Sequence, residues 1–169
     1  MNIFFLDENP KTAVQMLCDC HIMKMTLETA QLLCTRRRID CNEGMKTPFQ
    51  NLYRGTHQFH PCQVCLSRKS NLEWLKFYFS EILGEYKRRF GKEHKCKMFV
   101  ELFRPEGDTP PRLSEVDFPK CMPEEFKTES VVDSYRNYYS CKAKILHKFN
   151  FRNPFKWQLE WRDSLLERR

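Results

Sequence analysis

The sequence predicts an all-α protein, a compact single-domain helical bundle over residues 1–169 opened by a short extended N-terminal segment. Long stretches keep apolar residues three and four apart, the one from Lys11 to about Thr35 without internal proline or glycine, which is the period of a helix that buries one face. Helix punctuation surrounds these stretches, with proline at a first helical position in His60-Pro61, a capping asparagine before proline in Asn153-Pro154, and glycine at Gly91. The length suits one hydrophobic core, and no repeat, low-complexity tract or wide linker divides the chain.

Asn2 to Leu6 is too short and apolar to stand alone, so it reads as an extended segment with Ile3, Phe4 and Leu6 turned inward, closed by Asp7, Asn9 and Pro10. From Lys11 to about Thr35 the apolar positions Val14, Leu17, Ile22, Met25, Ala30 and Leu33 predict one long amphipathic helix, with Arg36, Arg37 and Arg38 at its electronegative end. Asp40 to Arg54 reads as a loop. A second helical block runs from Pro61 to about Phe90, with a bend possible at Ser70-Asn71 and Gly91 as its stop. Lys95 to Phe103 suggests a short helix, and Arg104 to Asp117 a proline-rich loop. Helix resumes from Pro123 or Ser130 through Phe149, and a last helix opens at Asn153-Pro154.

Composition narrows the function classes. A hydrophobic fraction of 41% supplies a core, while 30% charged residues argue against a disordered or membrane-embedded chain. No apolar run approaches the roughly 20 residues of a membrane span. The opening MNIFFLDENP has an acid where a secretion signal needs basic and then apolar residues, which predicts an intracellular, reducing compartment. Nine cysteines are an odd count there, so thiols or metal ligands are expected before disulfides. The net charge of +7 favours an anionic partner such as nucleic acid, with no membrane partner.

Three constellations could carry chemistry. His21, Lys24 and Glu28, near Asp19, are spaced three and four apart, which stacks imidazole, ammonium and carboxylate on one helix face. A solvated face or a buried polar trio would produce the same spacing. His57-x-x-His60-x-Cys62-x-x-Cys65, with Cys18, Cys20 and His21 as further candidates, offers soft zinc ligands, although Cys62 and Cys65 could equally be small core residues. Finally, SYRNYYSCKAKILHKFNFRNPFKW interleaves Tyr135, Arg136, Tyr138, Tyr139, Lys142, Lys144, Lys148, Arg152, Lys156 and Trp157, a composition suited to phosphates and stacked bases or, equally, to a core.

Order along the chain joins these blocks. Asp19-x-His21-Ile22-Met23 is followed by Glu28 seven residues after the histidine; histidines at 57 and 60 precede NLEWL…ILGEYKRRFG; then come MPEEFK at Met122 to Lys127 and YRNYY at Tyr135 to Tyr139, followed by Lys142. This arrangement resembles the viral pyrimidine-dimer DNA glycosylases, the endonuclease V family of phages and algal viruses, as a diverged member. The resemblance implies a DNA repair enzyme without a cofactor, acting as a monomer on double-stranded DNA in a host cytoplasm or nucleus. It implies that the terminal α-amine, here of Met1, attacks the sugar beside a damaged or modified pyrimidine, with Glu28 and His21 assisting and abasic-site lyase chemistry following. Substrate contacts would fall to Asn2, Lys24, Gln31, His57, His60, Arg136, Tyr138 and Lys142.

The chain departs from the pattern at specific places. The family's arginines immediately before and three residues after the glutamate are here Leu27 and Gln31, with Lys24 as the nearby cation, and its tryptophan in the closing segment is Ser134. The small residue exposed in the family by methionine removal is here the larger Asn2, so Met1 is expected to remain. The alternatives are a non-catalytic nucleic-acid-binding protein and a small zinc protein organised by His57, His60, Cys62 and Cys65.

Overall fold

A computed structural model describes residues 2–41, 51–146 and 149–167. Among them are six α-helices and no strand: α1 (Pro10–Gln15), α2 (Asp19–Asp40), α3 (Pro61–Val64), α4 (Lys69–Phe90), α5 (Val131–Ile145) and α6 (Lys156–Glu167). The all-α class therefore holds. Ile3, Phe4, Phe5 and Leu6 are buried as the extended opening segment predicts. Phe5 lies 4.6 Å from the Trp74 ring, and the Trp74 indole donates to the Glu8 carbonyl at 2.8 Å, so the segment is clamped onto α4. Asn9 caps α1 by accepting from the Lys11 and Thr12 amides, and Pro10 takes the first helical position, where its missing N–H leaves nothing unpaired.

α1 and α2 both pack on α4, which carries Trp74, Tyr78, Phe79 and Ile82 into the core, and α5 packs against α6. Gly91 ends α4 at φ 67°, a left-handed conformation that a side chain would strain, and its amide closes on the Lys87 carbonyl.

The expected single helix from Lys11 to Thr35 is two helices. Cys18 stands extended between them at φ −72°, ψ 165°. The broken backbone finds its partners far away: Arg89 donates to the Gln15 and Leu17 carbonyls, Gln158 to Gln15, Trp161 to Met16, and the Cys18 amide donates to the Tyr139 hydroxyl. Tertiary hydrogen bonds outweigh the local period here.

The second block starts at Pro61 as expected, with His60 as its cap, but it breaks at the extended Arg68 rather than at Ser70-Asn71. Asn71 instead bonds the Cys65 carbonyl and both backbone groups of Asp117. The short helix near Lys95 is a 3-10 turn over Lys95–Phe99. α5 begins behind Ser130, whose hydroxyl accepts the Asp133 amide, and ends at Ile145 because Leu146 is extended, short of the expected Phe149. α6 starts at Lys156; Asn153 turns left-handed at φ 46°, and the Gln158 side chain accepts the Phe155 amide in its place. Of the expected Asp40 to Arg54 loop, Asp40 is helical and residues 42–50 lie outside the described part.

Candidate active site

The polar stripe of α2 forms as its spacing requires, and two very different environments meet its ends. At the first, Arg89 is fully buried and binds four groups: Glu85 at 2.6 Å, Asp19 at 3.1 Å and the two carbonyls that terminate α1. Asp19 also accepts the Arg152 amide at 3.0 Å, while its own amide donates to the Asn150 carbonyl. Burial raises the Glu85 pKa, but hydrogen bonds from Arg88 and the charge of Arg89 outweigh it and leave the carboxyl below its ordinary range. The start of α2 is thus pinned to α4 and to the segment before α6.

His21 sits one turn into this pinned end. Its Nδ1 lies 2.8 Å from the Tyr139 hydroxyl and 3.4 Å from Cys18 Sγ, and its ring lies 4.9 Å from Phe4. Tyr139 is fully buried and accepts the Cys18 amide at 2.9 Å, and its hydroxyl also bonds His21 Nδ1; with the tyrosine as donor in that bond, the neutral imidazole carries its proton on Nε2. Burial lowers the His21 pKa, helped by the charges of Lys142 and Lys24, to about 4. Lys142 comes from α5 and rests 4.6 Å from the Tyr138 ring.

Glu28, two turns on, is much less constrained. Its side chain is 16% exposed and pairs at 3.5 Å with Lys24, which is 67% exposed. Its charge reaches two neighbours. It opposes the lowering of the His60 pKa by burial, and it adds to the burial that raises the hydroxyl pKa of Tyr78. The Tyr78 hydroxyl is buried on α4 without a hydrogen-bond partner among the described residues.

The residue next to the chain terminus is held in place. Asn2 donates to the Cys121 carbonyl at 2.7 Å, and its Oδ1 lies 3.0 Å from the Tyr135 hydroxyl and 3.8 Å from Cys62 Sγ. His60 caps α3 through Nδ1, which accepts the Cys62 amide at 3.2 Å. Met1 lies outside the described residues.

Arg136 donates to the Leu6 carbonyl and pairs with Asp7 at 3.0 Å, so its guanidinium anchors the N-terminal segment. His57 is exposed in a left-handed turn at φ 52°, and Gln31 is half-buried. Tyr138 is half-buried between Phe126 and Lys142. The nine cysteines carry free thiols, and two groups could hold a soft metal, with ligand atoms mutually within 4.8 Å: Cys18 with Cys20 and His21, and His60 with Cys62 and Cys121. His57 and Cys65 belong to neither, and the Cys65 thiol bonds the Cys62 carbonyl at 3.3 Å.

Sequence reasoning passed over Cys121, Tyr78 and Arg89. Cys121 sits isolated in a loop, and only folding brings it to Cys62. The four-residue step from Tyr135 to Tyr139 was a usable signal, since both are buried on one face of α5 while Tyr138 is half-buried.

Comparison with known proteins places this geometry in context. A family model described as pyrimidine dimer DNA glycosylase matches residues 1–98, from the N-terminal segment through α4 and into the following 3-10 turn. No curated protein and no solved structure matches. The match contains His21, Lys24, Glu28 and His60, whereas Cys121 and α5 lie beyond it. Family membership implies DNA glycosylase activity and a DNA substrate. With more than half of its length matched, the chain belongs to the pyrimidine dimer DNA glycosylase family.

Proposed function

We propose that this protein releases a damaged or modified pyrimidine from double-stranded DNA by attack of its terminal α-amine on the deoxyribose C1′, with strand cleavage at the resulting abasic site. One observation carries the reading above the others: the segment leading from residue 2 packs on the His21 end of the α2 stripe. Phe4 lies on His21, and Asn2 is bonded to Cys121 and Tyr135 with Cys62 Sγ 3.8 Å away.

In this scheme the amine lone pair forms the bond to C1′ while the glycosidic bond breaks, and the base departs with its electrons and takes up a proton. The bound amine then loses a proton and the C1′–O4′ bond breaks, O4′ taking up a proton, so that the ring-opened sugar is held on the amine as an iminium ion. Loss of a C2′ proton then expels the 3′ phosphate. An α-amine suits the first step because its pKa is about 7.7 to 8.0, against about 10.4 for lysine, so much of it is unprotonated near neutral pH. Glu28 stabilises the cationic sugar and carries protons; its partial burial beside the exposed Lys24 ammonium keeps the carboxylate reachable. His21, neutral by its bond to Tyr139, acts as an Nε2–H donor and not as a base. Lys24 and Lys142 supply positive charge beside it for the DNA backbone. Extrusion of the base gives the amine access to C1′.

Glu28→Gln is the test. Base release from a dimer-containing duplex should fall by about 100- to 10,000-fold while binding of the duplex and thermal stability are retained. Parallel loss of binding and stability would make Glu28 a structural residue.

A further inference from the structure

The structure assigns a zinc-class soft-metal site to His60, Cys62 and Cys121, three residues that the glycosylase reading uses in no metal role. The three ligand atoms lie mutually within 4.8 Å, and the two sulfurs are 3.6 Å apart. Two thiolates on one tetrahedral zinc, each bonded at about 2.3 Å, sit about 3.8 Å apart, so these sulfurs need move little. Nitrogen and two sulfurs form a donor set that selects zinc over hard cations.

The assembly is non-local. Cys62 is buried in α3, His60 is its cap, and Cys121 comes from the segment ahead of the 3-10 turn at Glu124–Phe126. Asn2 Oδ1, 3.8 Å from Cys62 Sγ, neighbours the fourth position, which falls to it or to water. On binding, both thiols deprotonate, two protons leave to solvent, and His60 exchanges its bond with the Cys62 amide for the metal.

The other group, Cys18, Cys20 and His21, is a poorer match. Its sulfurs are 3.2 Å apart, closer than two zinc ligands sit, and the His21 Nδ1 is taken by Tyr139 at 2.8 Å. A metal at the first group would clip the start of α3 to the segment at Cys121 beside Asn2.

The test is metal content and spectrum of the full-length protein, with no readout from activity. After incubation with zinc and desalting, the wild type should retain about one zinc per chain, held by one nitrogen and two thiolates. Cys62→Ser and Cys121→Ser should lose it, while Cys65→Ser and Cys20→Ser should keep it. Cobalt loading of the unsubstituted protein should give a thiolate-to-cobalt charge-transfer band and tetrahedral visible bands, which tests the site even where a variant folds poorly. Substoichiometric zinc with no cobalt band would overturn the assignment, as would zinc that is lost with Cys20→Ser and kept with Cys121→Ser. A Cys62–Cys121 disulfide in the intact mass would overturn it equally and identify the pair as a redox couple.

Discussion

The two ends of the α2 stripe differ more than their sequence does. At His21 the polar groups are tied to distant partners, with one Asp19 oxygen left without a hydrogen bond among the described residues: Tyr139 joins the imidazole to the Cys18 amide, and Arg89 ties Asp19, Glu85 and the end of α1 into one buried network. At Glu28, among the described residues, the carboxylate pairs with Lys24, which is largely exposed, and a buried hydroxyl without a hydrogen-bond partner lies within reach of its charge. A rigid end can position a neutral donor, and a loosely held carboxylate can change its protonation and partners during a reaction. On the proposed mechanism, the stripe would separate a positioning group from a reacting one along a single helix.

Substitutions at the two ends should fail in different ways. Glu28→Gln, at the loose end, should show the largest effect, a rate loss of about 100- to 10,000-fold without unfolding. Arg89→Met, at the rigid end, should do the reverse and remove about 3–5 kcal/mol of stability in a denaturant titration, because Glu85 and Asp19 would remain buried without their shared cation. A loss below about 1 kcal/mol would show that the network is not what pins α2.

His21 provides a smaller and subtler probe. Its folded pKa of about 4 lies below the ordinary 6.5, so the unfolded chain takes up the proton first as pH falls. Its contribution is complete above pH 6.5 and is lost progressively down to about pH 4. The full difference amounts to about 3 kcal/mol, and Lys24 and Lys142 both add to it. Comparing wild type with His21→Gln should show the two stability curves parting over that window. Tyr139→Phe should cost about 1–3 kcal/mol by leaving the Cys18 amide and His21 Nδ1 unpaired, and it should raise the His21 pKa measured by NMR. An unchanged pKa would break the assignment of the neutral tautomer.

Much of this arrangement was legible in the chain. The spacing of His21, Lys24 and Glu28 placed them on one face, and His60-Pro61 and Gly91 marked real helix ends because caps are local chemistry. The break at Cys18 was not legible, since no glycine or proline marks it and the groups that satisfy it lie more than 70 residues away at Arg89, Tyr139, Gln158 and Trp161. Arg136 read as a phosphate ligand from its basic, aromatic surroundings, yet Asp7 and the Leu6 carbonyl occupy it. Cys121 carried no spacing signal at all, and the Cys62–Cys65 pair drew attention away from it. Contacts of this kind are set by the packing of distant segments, which a periodic pattern does not encode.

The most direct test of the account is borohydride trapping of the protein on duplex DNA carrying an abasic site, with peptide mapping of the adduct. The account predicts a covalent product on the α-amine of Met1 that weakens sharply in Glu28→Gln. Release of the base without any trapped adduct, or an adduct mapped to Lys24 or Lys142, would contradict it.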